Sequence, residues 1–571
     1  MKKFLIGIVT GILLAFLCGL IVVFSLARFG DRRPTVSDES TLVLDLQGEI
    51  PEKPPIEISI PFFDRRPQVT VRDVWSMLHN AAVDQRVKAV ILMPQGISAG
   101  WGKLQEIRQD LVEFKKSGKP LVAFLQGPTT REYYLATAAD KIYMPPEDAL
   151  YMKGLRAEMM YFKNTLDKVG VQAEFYHIGK YKDFGDMFTQ TSMTPETREV
   201  MNSMLDQLYG HLTDTFAAAR KKTPEEIRAI IDDGPFTATQ AKAKGLIDDL
   251  RYEDEVYGDM KGTLKQKDLK KLSYLDYAKA SGTSAGAAAG KQIALLVGDG
   301  DIMRGEAGNS DEGIISGPFI KLIRKVANDS DVRGVILRVN SPGGDAIASD
   351  QILREVKLLS MKKPTVISMS DLAASGGYYI SMTGDPIIAY PGTYTGSIGI
   401  IFGKVNLKGF YDKVGITKDI LTRGKNADID SDYHPLTDAG REKLQESLEE
   451  FYKGFVGKAA ASRKKTYDQL DAIAQGRVWL GSQAKQNGLV DDLGGLDRAV
   501  ELVKQKAGIS AGEKIRLVPY PGRRSIFDEL LRATTDSAVE SKMKSLFGGL
   551  DYKLWMRGGI MRVMPYTIEI R

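Results

Sequence analysis

Two glycine-rich turns carry the residue types from which a nucleophilic site is built. They are Asn340-Ser341-Pro342-Gly343-Gly344 and Ala373-Ala374-Ser375-Gly376-Gly377-Tyr378-Tyr379, each just after a short apolar, strand-like run. A serine on a sharp turn after a strand, with glycines behind it opening a helix, projects its hydroxyl. The glycines let a carbonyl approach the backbone, and free N–H groups at the helix start can hold an oxyanion. Glycines also serve plain tight turns, so the turn alone does not decide for catalysis. A second motif, Gly179-Lys180-Tyr181-Lys182-Asp183, offers lysines. A lysine is a poor base at neutral pH unless burial disfavours its ammonium form. Bringing it toward ~8 costs about 3 kcal/mol, and Ser–Lys pairs are a variant of the triad logic.

An internal repeat at an offset of about 245 residues discriminates among these candidates. Val87-Lys88-Ala89-Val90-Ile91-Leu92 answers to Val332-Arg333-Gly334-Val335-Ile336-Leu337, and Tyr133-Tyr134 to Tyr378-Tyr379. Gly245-Leu246-Ile247-Asp248-Asp249-Leu250 answers to Gly488-Leu489-Val490-Asp491-Asp492-Leu493. The chain is a tandem duplication. Ser375-Gly376-Gly377 falls on Thr130-Arg131-Glu132, so the first copy lacks the serine. Lys180 has a counterpart in Lys425, which gives it a structural part, whereas Lys182 faces Ala427. One copy keeps a serine and the other a lysine, as expected if a duplicated enzyme divided a dyad between its halves.

Within each copy, β-branched apolar runs such as Thr365-Val366-Ile367 alternate with longer amphipathic ones such as 349–360, which predicts α/β units with a largely parallel core. The boundaries expected are an anchor over 1–34, a first α/β repeat over 35–280, a small-residue linker over 281–290, a second repeat over 291–521 and a tail over 522–571 of unread role. Residues 4–26 form an uncharged run of 23, long enough to cross a hydrocarbon core and longer than a signal-peptide core. Lys2 and Lys3 should stay cytoplasmic, with the chain from about Asp31 outside.

Several classes of function find no support. The net charge of +5 is small for 571 residues, and no basic run interleaved with aromatics calls for nucleic acid. The single cysteine, Cys18, excludes intramolecular disulfides, and the four histidines are scattered, so neither a metal nor another cofactor is expected. Ser341, before a proline, is the rival nucleophile and is read as shaping a loop. Ser360-Met361-Lys362-Lys363 has S-x-x-K spacing but lacks the companion motifs of β-lactamases. No Gly-x-x-x-x-Gly-Lys-Ser/Thr motif is present to suggest ATP-driven unfolding.

The tandem arrangement, both glycine turns and Gly-Lys-Tyr-Lys together resemble the long, duplicated form of the signal peptide peptidase A family, from the N-terminal apolar run to at least Ala507. The resemblance implies two ClpP/crotonase-like domains behind a transmembrane helix, and a Ser–Lys dyad of Ser375 as nucleophile and Lys182 as base. It further implies that Gly376, with Gly343 or Gly344, supplies oxyanion N–H groups and that Ser397, within Thr395-Gly396-Ser397-Ile398-Gly399, orients the lysine. Substrates would be signal-peptide remnants and other apolar peptides. The protein would sit in a bacterial inner membrane, contacting lipid through its N-terminal helix, with its catalytic domains on the periplasmic side. A ring-like homotetramer is also implied. Tethering by the short linker favours a dyad closed within one chain. The competing readings are an acyl-CoA enzyme on the same fold and an inactive membrane scaffold.

Overall fold

The computed structural model describes residues 34–53, 68–280, 290–306, 313–522 and 559–564, with positions 7, 11 and 14. The expected span over 4–26 and the linker over 281–290 fall, but for 7, 11, 14 and 290, outside the described residues. Among the described residues no helix is long and apolar enough to cross a membrane.

Each copy is built on a sheet whose strands read as buried apolar runs, the pattern of a parallel sheet covered on both faces. In the first, the order is Asp249–Leu250, Lys141–Met144, Leu121–Phe124, Val87–Ser98, Ser40–Glu49 and Lys270–Ser273, every pair parallel. In the second, Thr365–Ala374, Val332–Ser341, Lys291–Asp299 and Ile515–Tyr520 repeat that parallel arrangement. The correspondence reaches the register: Ser40–Glu49 and Lys291–Asp299 both slip by a residue after their first pair with the neighbouring strand. Each copy also carries a 26-residue helix, Pro195–Arg220 and Asp438–Arg463. Each starts on a threonine whose side chain accepts a backbone N–H, and each ends on a lysine in the left-handed region, Lys221 and Lys464.

The copies meet at several places, two of which matter most for the site. Arg338, fully buried in the second sheet, donates to Glu52 at 3.0 Å and to Glu106 at 2.5 Å, both from the first copy. Asp371 of the second copy accepts the N–H groups of Gly100 and Lys103, at 2.9 and 2.7 Å. It thereby caps the first-copy helix Trp101–Lys115, which begins without a side-chain cap of its own. The second junction is a shared sheet. The first-copy strand Gln172–Ile178 pairs antiparallel with the second-copy strand Ile400–Asn406, from Gln172 opposite Asn406 to Ile178 opposite Ile400. That pairing delivers the Gly-Lys-Tyr-Lys segment to the serine turn.

Candidate active site

Ser375 follows the strand Thr365–Ala374 and caps the short helix Gly376–Ser381 with φ +53° and ψ −111°. For a non-glycine residue this backbone costs about 1–3 kcal/mol and persists only when its surroundings over-determine it. They do so here. The Ser375 N–H donates to the Gly396 carbonyl at 2.8 Å. A Cβ on Gly377 would lie 2.5 Å from the Ser341 carbonyl oxygen, and one on Gly376 would lie 2.9 Å from the Gly343 Cα. The glycines are there because two loops touch, and the contact fixes the direction of the serine hydroxyl.

Lys182 arrives one turn after the strand Gln172–Ile178, its N–H donating to the Gly179 carbonyl at 3.1 Å. Its stem threads between two second-copy glycines: a Cβ on Gly476 would lie 2.6 Å from its own Cβ, and one on Gly399 would lie 3.0 Å from its Cδ. Nζ ends 2.9 Å from Ser375 Oγ, 2.8 Å from Ser397 Oγ and 2.9 Å from the Ser397 carbonyl oxygen. Ser397, at φ +49°, is the second strained non-glycine residue of the site. Lys182, Ser375 and Ser397 are all fully buried. Burial drives the Lys182 ammonium well below its ordinary range, opposed by the Asp183 carboxylate and assisted by the Arg562 guanidinium. Asp183 is itself pushed up to about 7 by burial, with Thr197 donating to its carboxyl oxygen. A neutral amine has two N–H donors and one lone pair. Two donors suit the two Ser397 oxygens, and the lone pair then faces Ser375 Oγ–H.

Gly343, at φ +104°, and Gly344, at φ +147°, do not form a simple turn into the next helix. They belong to a three-residue strand, Gly343–Asp345, that pairs antiparallel with Gly559–Val563 near the C-terminus. On its other side Gly559–Val563 pairs with Ile400–Asn406, so an extended stretch of chain lies in the cleft beside the serine. Met564 N–H donates to the Pro342 carbonyl at 2.8 Å. The Arg562 carbonyl oxygen lies 3.1 Å from where a Gly376 Cβ would stand, and its side chain stacks 3.7 Å from the centre of the Tyr379 ring. Of the oxyanion candidates, Gly343 directs its N–H to Ser341 Oγ at 3.1 Å, which gives Ser341 its part in shaping the loop.

The remaining candidates lie elsewhere. Lys180 is exposed, with Nζ 3.4 Å from the Tyr181 hydroxyl. Ser360 donates to Asp385, while Lys363 donates to the carbonyls of Asp329 and Val332 at 2.7 and 2.8 Å, so the S-x-x-K spacing belongs to structure. A cavity of about 730 Å³ lined by Trp75, Asp110, Tyr390 and Asp497 contains none of the three site residues. Two participants escape sequence reasoning. Asp183 has an equivalent in Asp428, so the repeat marks it as scaffold. Arg562 sits in a tail with no counterpart to compare it with.

Known proteins resemble this chain over both copies. The model of the peptidase family S49 matches the chain twice, over residues 113–267 and 357–510. The chain is 37% identical to the chloroplastic serine protease SPPA of Arabidopsis thaliana, over 80% of its own length and 69% of that protein's. It is 32% identical to protease 4 of Salmonella typhi, over 87% and 82% of the two chains. To protease 4 of Haemophilus influenzae it is 30% identical, over 86% and 83%. The two matched regions fall one in each structural copy, and one of them contains the strained serine and the other the buried lysine. The chain belongs to peptidase family S49, in the long, duplicated form of signal peptide peptidase A, and is a serine protease.

Proposed function

We propose that Ser375 is the nucleophile and Lys182 the general base of a peptidase acting on extended, apolar peptides at a membrane. The observation that carries this reading is the fully buried Lys182 Nζ at 2.9 Å from Ser375 Oγ, its ammonium form disfavoured by burial. As Oγ attacks the peptide carbonyl carbon, its proton passes to Nζ. The same proton then goes to the departing amine nitrogen as the C–N bond breaks, leaving an acyl-serine. A water, deprotonated by the regenerated amine, hydrolyses that ester. Ser397 orients the lysine through its two contacts, and the Gly376 N–H, with one from Gly344 or from Gly343 on its release from Ser341 Oγ, receives the oxyanion. Both members of the dyad come from one chain, in keeping with tethering through the linker.

The double-sided pairing of Gly559–Val563 supports the substrate class. A cleft that holds its own tail as a strand between Gly343–Asp345 and Ile400–Asn406 offers main-chain hydrogen bonds to any extended peptide and few to a folded domain. Signal-peptide remnants fit that description, and a relative from Enterococcus faecium named putative signal peptide peptidase SppA, 31% identical over 42% of this chain, supports the choice. Two covered parallel sheets support the ClpP/crotonase-like reading of both domains, over 35–280 and 291–521. The anchor over 1–34, a bacterial inner-membrane location with the domains outside, lipid contact and a homotetramer complete the proposal. Membership of a peptidase family stands against an acyl-CoA enzyme or an inactive scaffold.

A fluorophosphonate label followed by peptide mapping tests the assignment. The label is expected on Ser375, and its incorporation is expected to vanish in Lys182→Ala. Labelling of another serine, or unchanged labelling of Lys182→Ala, would overturn it.

A further inference from the structure

The turn packed against the stem of Lys182 has an unusual backbone, and it has it in one copy only. Gln483 answers to Gln240, which sets Gln475-Gly476-Arg477 on Asp232-Asp233-Gly234. In the first copy Asp232 ends the helix Pro224–Asp232, and Asp233 caps it at an ordinary φ of −89°. In the second copy Gln475 and Gly476 both lie in the left-handed region, at φ +50° and φ +75°. Close contact with Lys182 accounts for the glycine. Position 475 is different: a glycine would take this backbone without strain, so a glutamine there calls for work by its side chain.

Every polar atom of that side chain is engaged. Oε1 accepts the Lys180 N–H at 3.3 Å. Nε2 donates to Asp471 Oδ1 at 2.9 Å and to the Tyr452 hydroxyl at 3.0 Å, which uses both amide donors. The reverse orientation would set the amide oxygen against the Asp471 carboxylate and its nitrogen against a backbone N–H, so the neighbours fix which end faces the lysine segment. The Gln475 carbonyl also accepts the Tyr181 N–H, at 2.7 Å. Tyr452 belongs to the long helix Asp438–Arg463, and Asp471 ends the helix Tyr467–Asp471. One side chain therefore ties the second-copy scaffold to the first-copy segment that ends on Lys182. The far side of the same turn holds the orienting serine. The Arg477 carbonyl accepts the Ser397 N–H at 2.7 Å, and the Gly476 N–H donates to the Ile398 carbonyl at 2.8 Å. The turn is the common neighbour of the two segments whose contact aims Nζ at Ser375. In the first copy Asp233 pairs instead with Lys244, a residue of its own half, at 2.5 Å.

We propose that Gln475 is a positioning residue, whose side chain holds the Gly179–Lys182 segment in the place from which Nζ meets Ser375 Oγ. This rests on the proposed Ser375–Lys182 dyad and adds the residue that keeps its halves in register. Gln475 acts through the backbone of Lys180 and Tyr181 and not on the reacting atoms. Small errors there are costly, since a misplacement of about 1 Å can lower a rate by ~10²-fold. Loss of the side chain leaves the backbone bonds to Ser397 and Ile398 in place, so proton transfer suffers and peptide binding in the cleft does not.

Gln475→Gly tests this in the full-length, detergent-solubilised protein with a fluorogenic apolar peptide. Glycine takes the left-handed backbone freely and keeps the carbonyl bond to Tyr181, so only the side chain is lost. kcat is expected to fall roughly 10- to 100-fold, with KM within about twofold of the parent. The first-copy equivalent, Asp232→Gly, should leave kcat within about threefold. Asp471→Ala releases the other end of the amide and leaves the turn's own sequence intact. It is expected to lower kcat roughly three- to tenfold in the parent and to add nothing to Gln475→Gly, because both act through one side chain. An unchanged kcat in either single variant, a KM that rises as kcat falls, or losses that multiply in the double variant would each overturn the positioning role. Fluorophosphonate mapping keeps the two readings apart. A label on a serine other than Ser375 fails the dyad, whereas a label on Ser375 with an undisturbed kcat in Gln475→Gly fails the positioning role alone.

Discussion

Set side by side, the two copies agree wherever a residue serves its own half and part company where the halves meet. Tyr133 donates to the Leu246 carbonyl at 2.8 Å, and Tyr378 to the Leu489 carbonyl at 3.0 Å. Arg220 bonds the Gly245 carbonyl and Asp248, as Arg463 bonds the Gly488 carbonyl and Asp491. At the junction the same offset pairs unlike residues: Thr130 with Ser375, Lys182 with Ala427, Met93 with Arg338. The serine turn is the most instructive of these. In the first copy the helix starts one residue earlier, and Thr129, at an ordinary φ of −95°, forms a capping box with Glu132. In the second, glycines replace the cap and the backbone is strained. Capping suits a helix that only has to be stable. A site that must present a hydroxyl gives up the cap and accepts the strain.

The sharpest way to break this comparison is to remove the chemistry from each half in turn. Ser375→Ala and Lys182→Ala are each expected to lower kcat/KM on a fluorogenic apolar peptide by ~10³-fold or more, since the members of a dyad act as a unit. Their first-copy and neighbouring controls, Thr130→Ala and Lys180→Ala, should stay within about threefold of the parent, since Thr130 lies in the copy without the serine and Lys180 is exposed. Comparable loss in a control would mean that the halves do not divide the work as described. Next in size is Gly343→Ala. Its Cβ would lie 1.9 Å from the Arg562 carbonyl oxygen and 2.5 Å from the Gly376 nitrogen, so it displaces both the tail and the oxyanion loop. A loss of ~10²-fold in kcat is expected, the scale of one oxyanion donor. Unchanged kcat would remove this loop from the mechanism.

A smaller effect lies in the pH profile. With Lys182 as the proposed base, catalysis needs the neutral amine, so activity is expected to rise with pH through the depressed Lys182 value. Asp183 ionises near 7 and, as it does so, favours the ammonium and holds that rise back. Asp183→Asn is therefore expected to move the ascending limb to lower pH, measured as kcat/KM from pH 5 to 10. An unmoved limb would mean that Asp183 serves structure only. Stability follows the same sign. A lysine whose folded value is depressed binds fewer protons folded than unfolded, so its ionisation penalty is complete below the folded value and relaxes as pH rises toward 10.4. Lys182→Met should be more resistant to urea than the parent at pH 7, with the gap closing toward pH 10.

The meeting of Lys182 and Ser375 is legible in the sequence because the duplication supplies an internal control. Lys182 was separated from Lys180 by the absence of a partner, and Ser375 from Thr130 by a change of residue type at an aligned position. The α/β class was legible from runs such as Thr365-Val366-Ile367, whose β-branched residues fit a covered strand. Three features were not legible, each for a physical reason. The strand Gly559–Val563 carries no periodic signal long enough to read, and its pairing is fixed by glycine loops more than two hundred residues away. Asp183 owes its behaviour to burial, which no spacing reveals. Arg338 reads in sequence as a polar interruption of an apolar run. Only the arrival of Glu52 and Glu106 from the other copy makes its burial tolerable.

The smallest effect expected is also the most direct measure of how alike the two scaffolds are. Tyr133 and Tyr378 are fully buried, and each hydroxyl meets one leucine carbonyl at the loop following a six-residue helix of its own half, Ala238–Ala243 or Gly481–Gln486. Phenylalanine keeps the ring and its packing but leaves that carbonyl without its donor, a loss of about 1 kcal/mol in either half. Urea denaturation of Tyr133→Phe and Tyr378→Phe should therefore give midpoints lowered by the same amount, within about 0.5 kcal/mol of each other. Equality would mean that the serine turn, only three residues before Tyr378, draws nothing from this anchor. A markedly larger cost for Tyr378→Phe would mean instead that the anchor helps to hold Ser375 in its strained backbone. That strain, absent from the first copy, is the one term by which the two halves should differ.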